Sequence, residues 1–164
     1  MSIVAVQAFT KGLLDGLASP YFEPAQAWIT PLPIGEGGPA PQIYLWTPGI
    51  DEKRLNNPRA SVGVGSGKKT VTHTLTMHAL AIWDNTDPQN DVRFQSLLDA
   101  IGAALRGANV PAVITDPKTG VSSQLLSIGE TIQVETDIVR AVSDQRLFRW
   151  LALIKTDAVE VINA

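Results

Sequence analysis

The spacing of apolar residues predicts two amphipathic helices in this chain. The first is expected over residues 3–18, ending before Pro20, with an apolar face formed by Val6, Phe9, Leu13 and Leu17. The second is expected to start with Asp87 as N-cap and Pro88 in the first helical position, and to end at Gly107. Its apolar face consists of Phe94, Leu97, Leu98, Ile101 and Leu105.

Runs rich in β-branched, aromatic and other apolar residues predict strands in the rest of the chain. Two short ones are expected in "AQAWIT" and "QIYLWT", and a long one over Val71–Trp83. The turn sequence "DPKTG" predicts a hairpin between "VPAVIT" and "VSSQLLSI". Further strands are expected in "TIQVETDIV" and "RLFRWLALIKT", with "AVEVI" as a short edge strand. Because "RLFRWLALIKT" has apolar residues on both alternating faces, we expect that strand to lie in the middle of a sheet and to be buried on both sides.

Proline and glycine dominate one region, residues 31–69, which is expected to be an extended arm. It begins with "PLPIGEGGPAP" and ends with about twenty residues of loop, from Pro48 to Lys69. The order of elements predicts an α+β fold, a mostly antiparallel sheet with two helices packed on it plus this long Pro/Gly-rich loop. The length suits a single domain over 1–164, with the sheet-and-helix core at 70–162.

Composition narrows the functional classes. The chain has no cysteine, which excludes disulfides, thiolate metal sites and cysteine nucleophiles. Its formal net charge of -3 argues against a basic face that grips nucleic acid. The N-terminal residues lack a basic region typical of a signal peptide, and no apolar run is long enough to span a bilayer. We therefore expect a protein without membrane contact, made in a cytoplasm.

The residues that could carry chemistry do not form a recognisable site. His73 and His78 are five positions apart on a predicted strand, so they are expected to point to opposite faces and not to share a metal ion. The stretch "VGVGSGKKT" lacks the glycine spacing of a phosphate-binding loop. Glu135 and Asp137 share one face of a strand, but no motif supplies a catalytic partner. We predict no catalytic residues, no metal and no cofactor.

A contact with another molecule is the expected role of the long loop. A glycine-rich, polar segment of this length seldom orders itself, and a neighbouring subunit would hold it; a loop folded back on its own domain is the alternative. The candidate contact residues are Arg54, Arg59, Lys68 and Lys69, which could pair with acidic groups of a neighbour or with a phosphate backbone; simple solvation of these charges is the alternative.

The arrangement of elements resembles that of the tail-terminator and neck (tail-completion) proteins of long-tailed bacteriophages. The resemblance rests on the leading helix "VQAFTKGLLDGLA", the long strand "THTLTMHALAIWD" with its turn, the helix "DVRFQSLLDAIGAAL" and the closing strands that end in "RLFRWLALIKTDAVEVI". It covers roughly residues 1–17 and 71–162.

This resemblance implies a structural virion protein with no active site. Six copies would form a ring that ends the tail tube and joins it to the head–tail connector, while genomic DNA passes through the lumen without sequence-specific binding. The implied partners are the chain itself, the tail tube protein and the connector, and the implied location is the virion tail or neck. Other readings stay open, namely another tail-tube or neck component, a non-viral binding or adaptor domain, or a small enzyme that uses Glu135, Asp137 or His78.

Overall fold

The protein combines two helices with a sheet, as the sequence predicts. The structure, a computed structural model, describes residues 3–31, 40–54, 68–84, 86–140 and 147–163. The helices are α1 (Ile3–Leu14) and α2 (Asn90–Arg106). The strands are β1 (Gln26–Ile29), β2 (Gln42–Arg54), β3 (Lys68–Asp84), β4 (Ala112–Thr115), β5 (Ser122–Arg140) and β6 (Leu147–Asn163).

Within the described residues the six strands form one sheet in the order β1-β2-β3-β6-β5-β4. The sheet is mixed, because β1 pairs with β2 in parallel whereas the other neighbouring strands are antiparallel. The expected strands "AQAWIT" and "QIYLWT" are therefore real neighbours. Their relative direction could not be predicted, since alternation along one strand carries no information about the direction of its partner.

The predicted loop from Pro48 to Lys69 is too long. β2 continues to Arg54 and β3 starts at Lys68, and the two pair antiparallel from Glu52 opposite Val71 to Arg54 opposite Lys69. Both flanks of the expected loop are thus strand. A β-bulge between Trp46 and Gly49 interrupts the pairing. The segment from Pro48 to Arg54 is polar and begins with a proline, which is more typical of a loop, so its sequence does not predict a strand.

Four predicted strands merge into two long ones. "VSSQLLSI" and "TIQVETDIV" are both parts of β5, and "RLFRWLALIKT" and "AVEVI" are both parts of β6. The ladder between β5 and β6 is interrupted between Leu125 and Ser127 and again between Ile128 and Ile132. Gly129, with φ of +74°, lies in the second irregularity. Glycine is typical of turns, but here its positive φ allows a bulge within a continuous strand.

The helices cover one face of the sheet and form the core with it. The apolar face of α2 is buried as predicted, with Leu97 and Leu105 fully buried. From the sheet, β3 contributes Leu75 and Met77, and β6 contributes Ala152, Ile154 and Ala158. β6 does lie in the middle of the sheet, but only this face of it is fully buried. Leu151 and Leu153, on the opposite face, are half-buried.

One boundary of each helix differs from the prediction: the end of α1 and the start of α2. α1 ends at Leu14, before Pro20, because Gly16 adopts φ of +79° and donates its backbone N–H to the Ala25 carbonyl. α2 starts at Asn90 and not at Pro88. Asp87 accepts a hydrogen bond from the Gln89 backbone N–H in the preceding turn and pairs with Arg93 at 2.6 Å. No helix in the described part of the chain is both long and apolar enough to cross a membrane.

Candidate interaction surface

Three of the four basic candidates lie on a hairpin of the sheet, not in a loop. Arg54 is the last residue of β2, and Lys68 and Lys69 are the first two of β3. The Lys69 ammonium lies 2.6 Å from a Glu52 carboxylate oxygen, so it already pairs within its own hairpin. Arg59 lies outside the described residues. The structure therefore gathers these residues at one end of the β2–β3 hairpin, and their contact with another subunit stays a prediction.

The outer side of β2 is only partly covered. β1 pairs with β2 from Gln42 to Leu45 and no further. Among the described residues no strand pairs with the outer side of residues 46–54, which we call the β2 open stretch. Its Ile50 side chain is 37% exposed. Pro48, which lacks a backbone N–H, lies in the bulge of this stretch, the kind of position that an edge strand tolerates.

The opposite edge of the sheet has a matching gap. β4 covers β5 from Ser122 to Leu125, and no described strand pairs with the outer side of residues 126–140, the β5 open stretch. Val134 and Ile138 in this stretch are 45% and 49% exposed. Their registers with Ile154 and Trp150 place both on the face that carries the helices. A groove of about 340 Å³ separates this face from α2 and is lined partly by Val134 and Arg106.

The carboxylates of the β5 open stretch lie on the other face and are exposed. Glu135 pairs in register with Leu153, and Asp137 with Leu151. His78 also pairs with Leu153, from the far side, so it lies two strands away from Glu135. That separation is roughly 10 Å at ~4.8 Å per strand, too far for a direct hydrogen bond. The acidic pair and His78 share a face without forming a catalytic contact.

The two histidines do point to opposite faces, as their odd spacing predicts. The ring of His78 is half-buried and contacts the ring of Trp46 edge to face, with centroids 4.8 Å apart. Burial lowers the pKa of His78 from its ordinary value. His73 is fully buried on the core face.

Glu160 is the partner of His73, and sequence reasoning missed it. His73 Nε2 lies 2.6 Å from Glu160 Oε2, and both side chains are inaccessible to solvent. Burial by itself raises the pKa of Glu160, but hydrogen bonding to His73 and Ser123 and the charge of His73 together lower it below its ordinary value. The residues are 87 positions apart, so no local pattern could have paired them. The pair is enclosed by core residues and is a structural contact of β3 with β6.

Aromatic side chains occupy both faces of the sheet. Trp83 and Trp150 pack with Phe94 of α2 at ring-centroid distances of 5.6–6.5 Å, which ties the helix to the sheet. Trp28 of β1 is 42% exposed and donates its indole N–H to the side-chain oxygen of Gln42 at 2.7 Å. It is the more accessible of these rings and lies beside the β2 open stretch.

Comparison with known proteins adds no relative, because no protein-family model matches the chain and no curated protein is similar to it.

Proposed function

We propose that this chain is a structural subunit that works by assembling side by side with copies of itself. The observation that carries the proposal is the pair of open stretches on β2 and β5, one at each side of the sheet, with Ile50, Val134 and Ile138 exposed. Unpaired strand edges with apolar side chains are places where another strand adds.

The assembly that we propose is the ring that ends the tail tube of a long-tailed phage and joins it to the head–tail connector. The resemblance in the order of elements supports it. A subunit with a different binding surface on each side also forms closed rings when the rotation between copies allows. The net charge of -3 suits a lumen through which DNA slides without being held. Under this proposal the partners of the chain are the tail tube protein and the head–tail connector, and its location is the virion.

A second position in the same virion is the alternative, because a tube or neck component would use the same open stretches. The two are distinguished by where the subunit lies in the particle. Antibody labelling or cryo-electron microscopy of whole particles would place a terminator at one level of the tail, whereas a tube protein would repeat along its length.

Self-assembly is tested on the purified chain by light scattering over a wide concentration range, together with negative-stain electron microscopy. We expect a species near six times the mass of the chain, visible as rings. A chain that stays monomeric at millimolar concentration, and that is absent from phage particles, would contradict the proposed function.

A further inference from the structure

The two open stretches of one chain fit each other in direction. β2 is antiparallel to β3, β3 to β6, and β6 to β5, so β2 and β5 run in opposite directions. A second copy placed beside the first in the same orientation therefore brings its β2 antiparallel to β5. We infer that the β5 open stretch of one copy pairs with the β2 open stretch of the next, an inference that rests on the proposed self-assembly.

The positions of β1 and β4 show why the copies have to be staggered. β1 covers β2 at the end where Leu45 is level with Met77, and β4 covers β5 at the end where Leu125 is opposite Glu160. The covered segments thus lie at opposite ends of the sheet. The open stretches can meet only if the second copy is displaced along the strands, so that its β1 lies beyond the end of β5.

A register that meets this condition and keeps both isoleucines on the same face places Ile50 opposite Ile138. Ile50 is level with His73 of β3, and Leu45 lies four residues further along, level with Met77 (73 to 77). Ile138 pairs with Trp150 of β6, which in turn pairs with Ala81 of β3, so Ile138 is level with Ala81. β5 ends only two residues later, at Arg140. With Ile50 opposite Ile138, Leu45 of the second copy falls past the end of β5, and β1 is not in the way.

Side-chain chemistry favours this pairing over pairing of β5 with itself. Ile50 and Ile138 are both exposed and share the helix-bearing face, so the contact buries two apolar side chains. Self-pairing of β5 centred on Thr136 would place Glu135 of each copy opposite Asp137 of the other, giving two like-charge pairs. The pairing with β2 has one, Asp51 opposite Asp137.

The interface that results is head-to-tail, because each copy uses a different stretch toward each neighbour. Such an interface does not stop at a dimer, and it forms a ring where the rotation closes. Six residues of each strand face each other, 49–54 of β2 and 134–139 of β5, a length typical of strands in sheets.

A cysteine pair tests the register directly, because the chain contains no cysteine. In Ile50→Cys/Ile138→Cys, oxidation should link copies covalently, since directly opposite residues of antiparallel strands are ~4.5–5.5 Å apart at Cα. Within one copy the two positions are three strand spacings apart, roughly 14 Å across the sheet, and are also offset by about eight residues along the strands, too far for a disulfide. We expect a ladder of linked oligomers on a non-reducing gel.

The controls separate the outcomes. Ile50→Cys/Val113→Cys places the second thiol at the highly exposed position 113 of β4 and should give at most a trace of links. Ile138→Cys alone should give little dimer; a strong dimer band would show that β5 pairs with itself and would overturn the inference. Rings of the unmodified chain without links in the Ile50/Ile138 pair would refute this pairing while sustaining the proposed function. Neither rings nor links would refute both.

Two charge variants test the same register without cysteine. Ile138→Lys should weaken association at least about tenfold, because a charge at an edge blocks strand addition. Asp137→Asn should tighten it by roughly twofold to fivefold, since it removes the repulsion from Asp51. Glu130→Gln removes one exposed negative charge outside the paired segment and is the matched control. Unchanged or weaker association of Asp137→Asn relative to this control would contradict the register.

Discussion

At the scale of single residues, the buried contact between His73 and Glu160 is a polar feature with a large expected effect on stability. Both side chains are inaccessible to solvent, and the two atoms that face each other are 2.6 Å apart. Hydrogen bonds to charged groups in such surroundings contribute more than exposed ones, because water does not compete for them. The contact holds β3 against β6 near the end of the sheet where Arg54 of β2 pairs with Lys69 of β3.

Glu160→Gln should lower the free energy of unfolding by about 2 kcal/mol at pH 7. The pKa of Glu160 is lower in the folded chain than its ordinary value of 4.5, so its contribution is fully present above about pH 4.5 and is lost as the pH falls through the folded pKa. The difference between the two proteins should therefore shrink as the pH is lowered below about 4.5, measured by chemical denaturation across pH. Glu135→Gln, an exposed control, should change stability by less than about 0.5 kcal/mol. A difference that is constant with pH would contradict an ionised Glu160.

Gly129→Ala should destabilise the fold by about 1–3 kcal/mol. Gly129 has φ of +74°, and an added Cβ would lie 2.9 Å from the backbone of Leu105 at the end of α2. Gly120 has a similar φ of +70° but open space around it. Gly120→Ala is thus a matched control for backbone strain alone. If both variants lose the same stability in urea denaturation, the close approach of α2 to β5 is not what requires glycine at 129.

At the scale of elements, α2 shows how far a periodic pattern determines packing. The predicted stripe and the buried face coincide, and the helix ends at Arg106 before Gly107 as expected. Its start was misplaced because Asp87 and Pro88, which are typical of a helix start, instead form the turn before Asn90. A helix of this kind gains most of its stability from the face that it buries against the sheet.

Leu97→Ala should therefore lower the free energy of unfolding by about 2–5 kcal/mol, because Leu97 is fully buried between α2 and the sheet and its loss leaves a cavity. Val92→Ala, on the exposed face of the same helix, should cost less than about 0.5 kcal/mol. Thermal and urea denaturation of the two variants give the comparison. Equal losses would mean that α2 is held by its own helical propensity rather than by packing.

Strands were less predictable than helices. The turn Asp116–Gly120 and its hairpin were found, because Asp116 accepts hydrogen bonds from the backbone N–H groups of Lys118 and Thr119 within the turn itself. The sequence predicts two shorter strands in place of β5 and two in place of β6, because Gly129 and the polar residues within these strands are typical of strand ends. A bulge needs a partner strand to be recognised.

At the scale of the whole molecule, the two outer strands of the sheet cover only part of the strands next to them. β1 and β4 are four residues each and cover only part of β2 and β5. Among the described residues, the parts of β2 and β5 that these strands leave uncovered carry the exposed side chains of Ile50, Val134 and Ile138, and an uncovered strand edge is a place where another strand can add. The open stretches are therefore the surface on which the proposed function depends.

Replacement of residues 55–67 by a short glycine-containing turn tests the remaining part of the predicted contact loop. Because Arg54 and Lys69 are already paired, a tight turn can close this hairpin without disturbing the sheet. We expect the variant to fold with a circular dichroism spectrum and melting temperature close to those of the intact chain, but to fail to form rings. Normal rings would show that the segment with Arg59 is not a subunit contact.

Features that depend on neighbours in the chain follow from the amino-acid sequence alone. The stripe of α2, the Asp116 turn, the opposite faces of His73 and His78 and the central position of β6 all follow from local periodicity or local hydrogen bonding. The folded chain was needed to show the parallel pairing of β1 with β2, the contact of His73 with Glu160 and the two open stretches. These depend on which distant segments meet and in what register, and the free energy that selects one pairing comes from burial of the whole core rather than from any single segment.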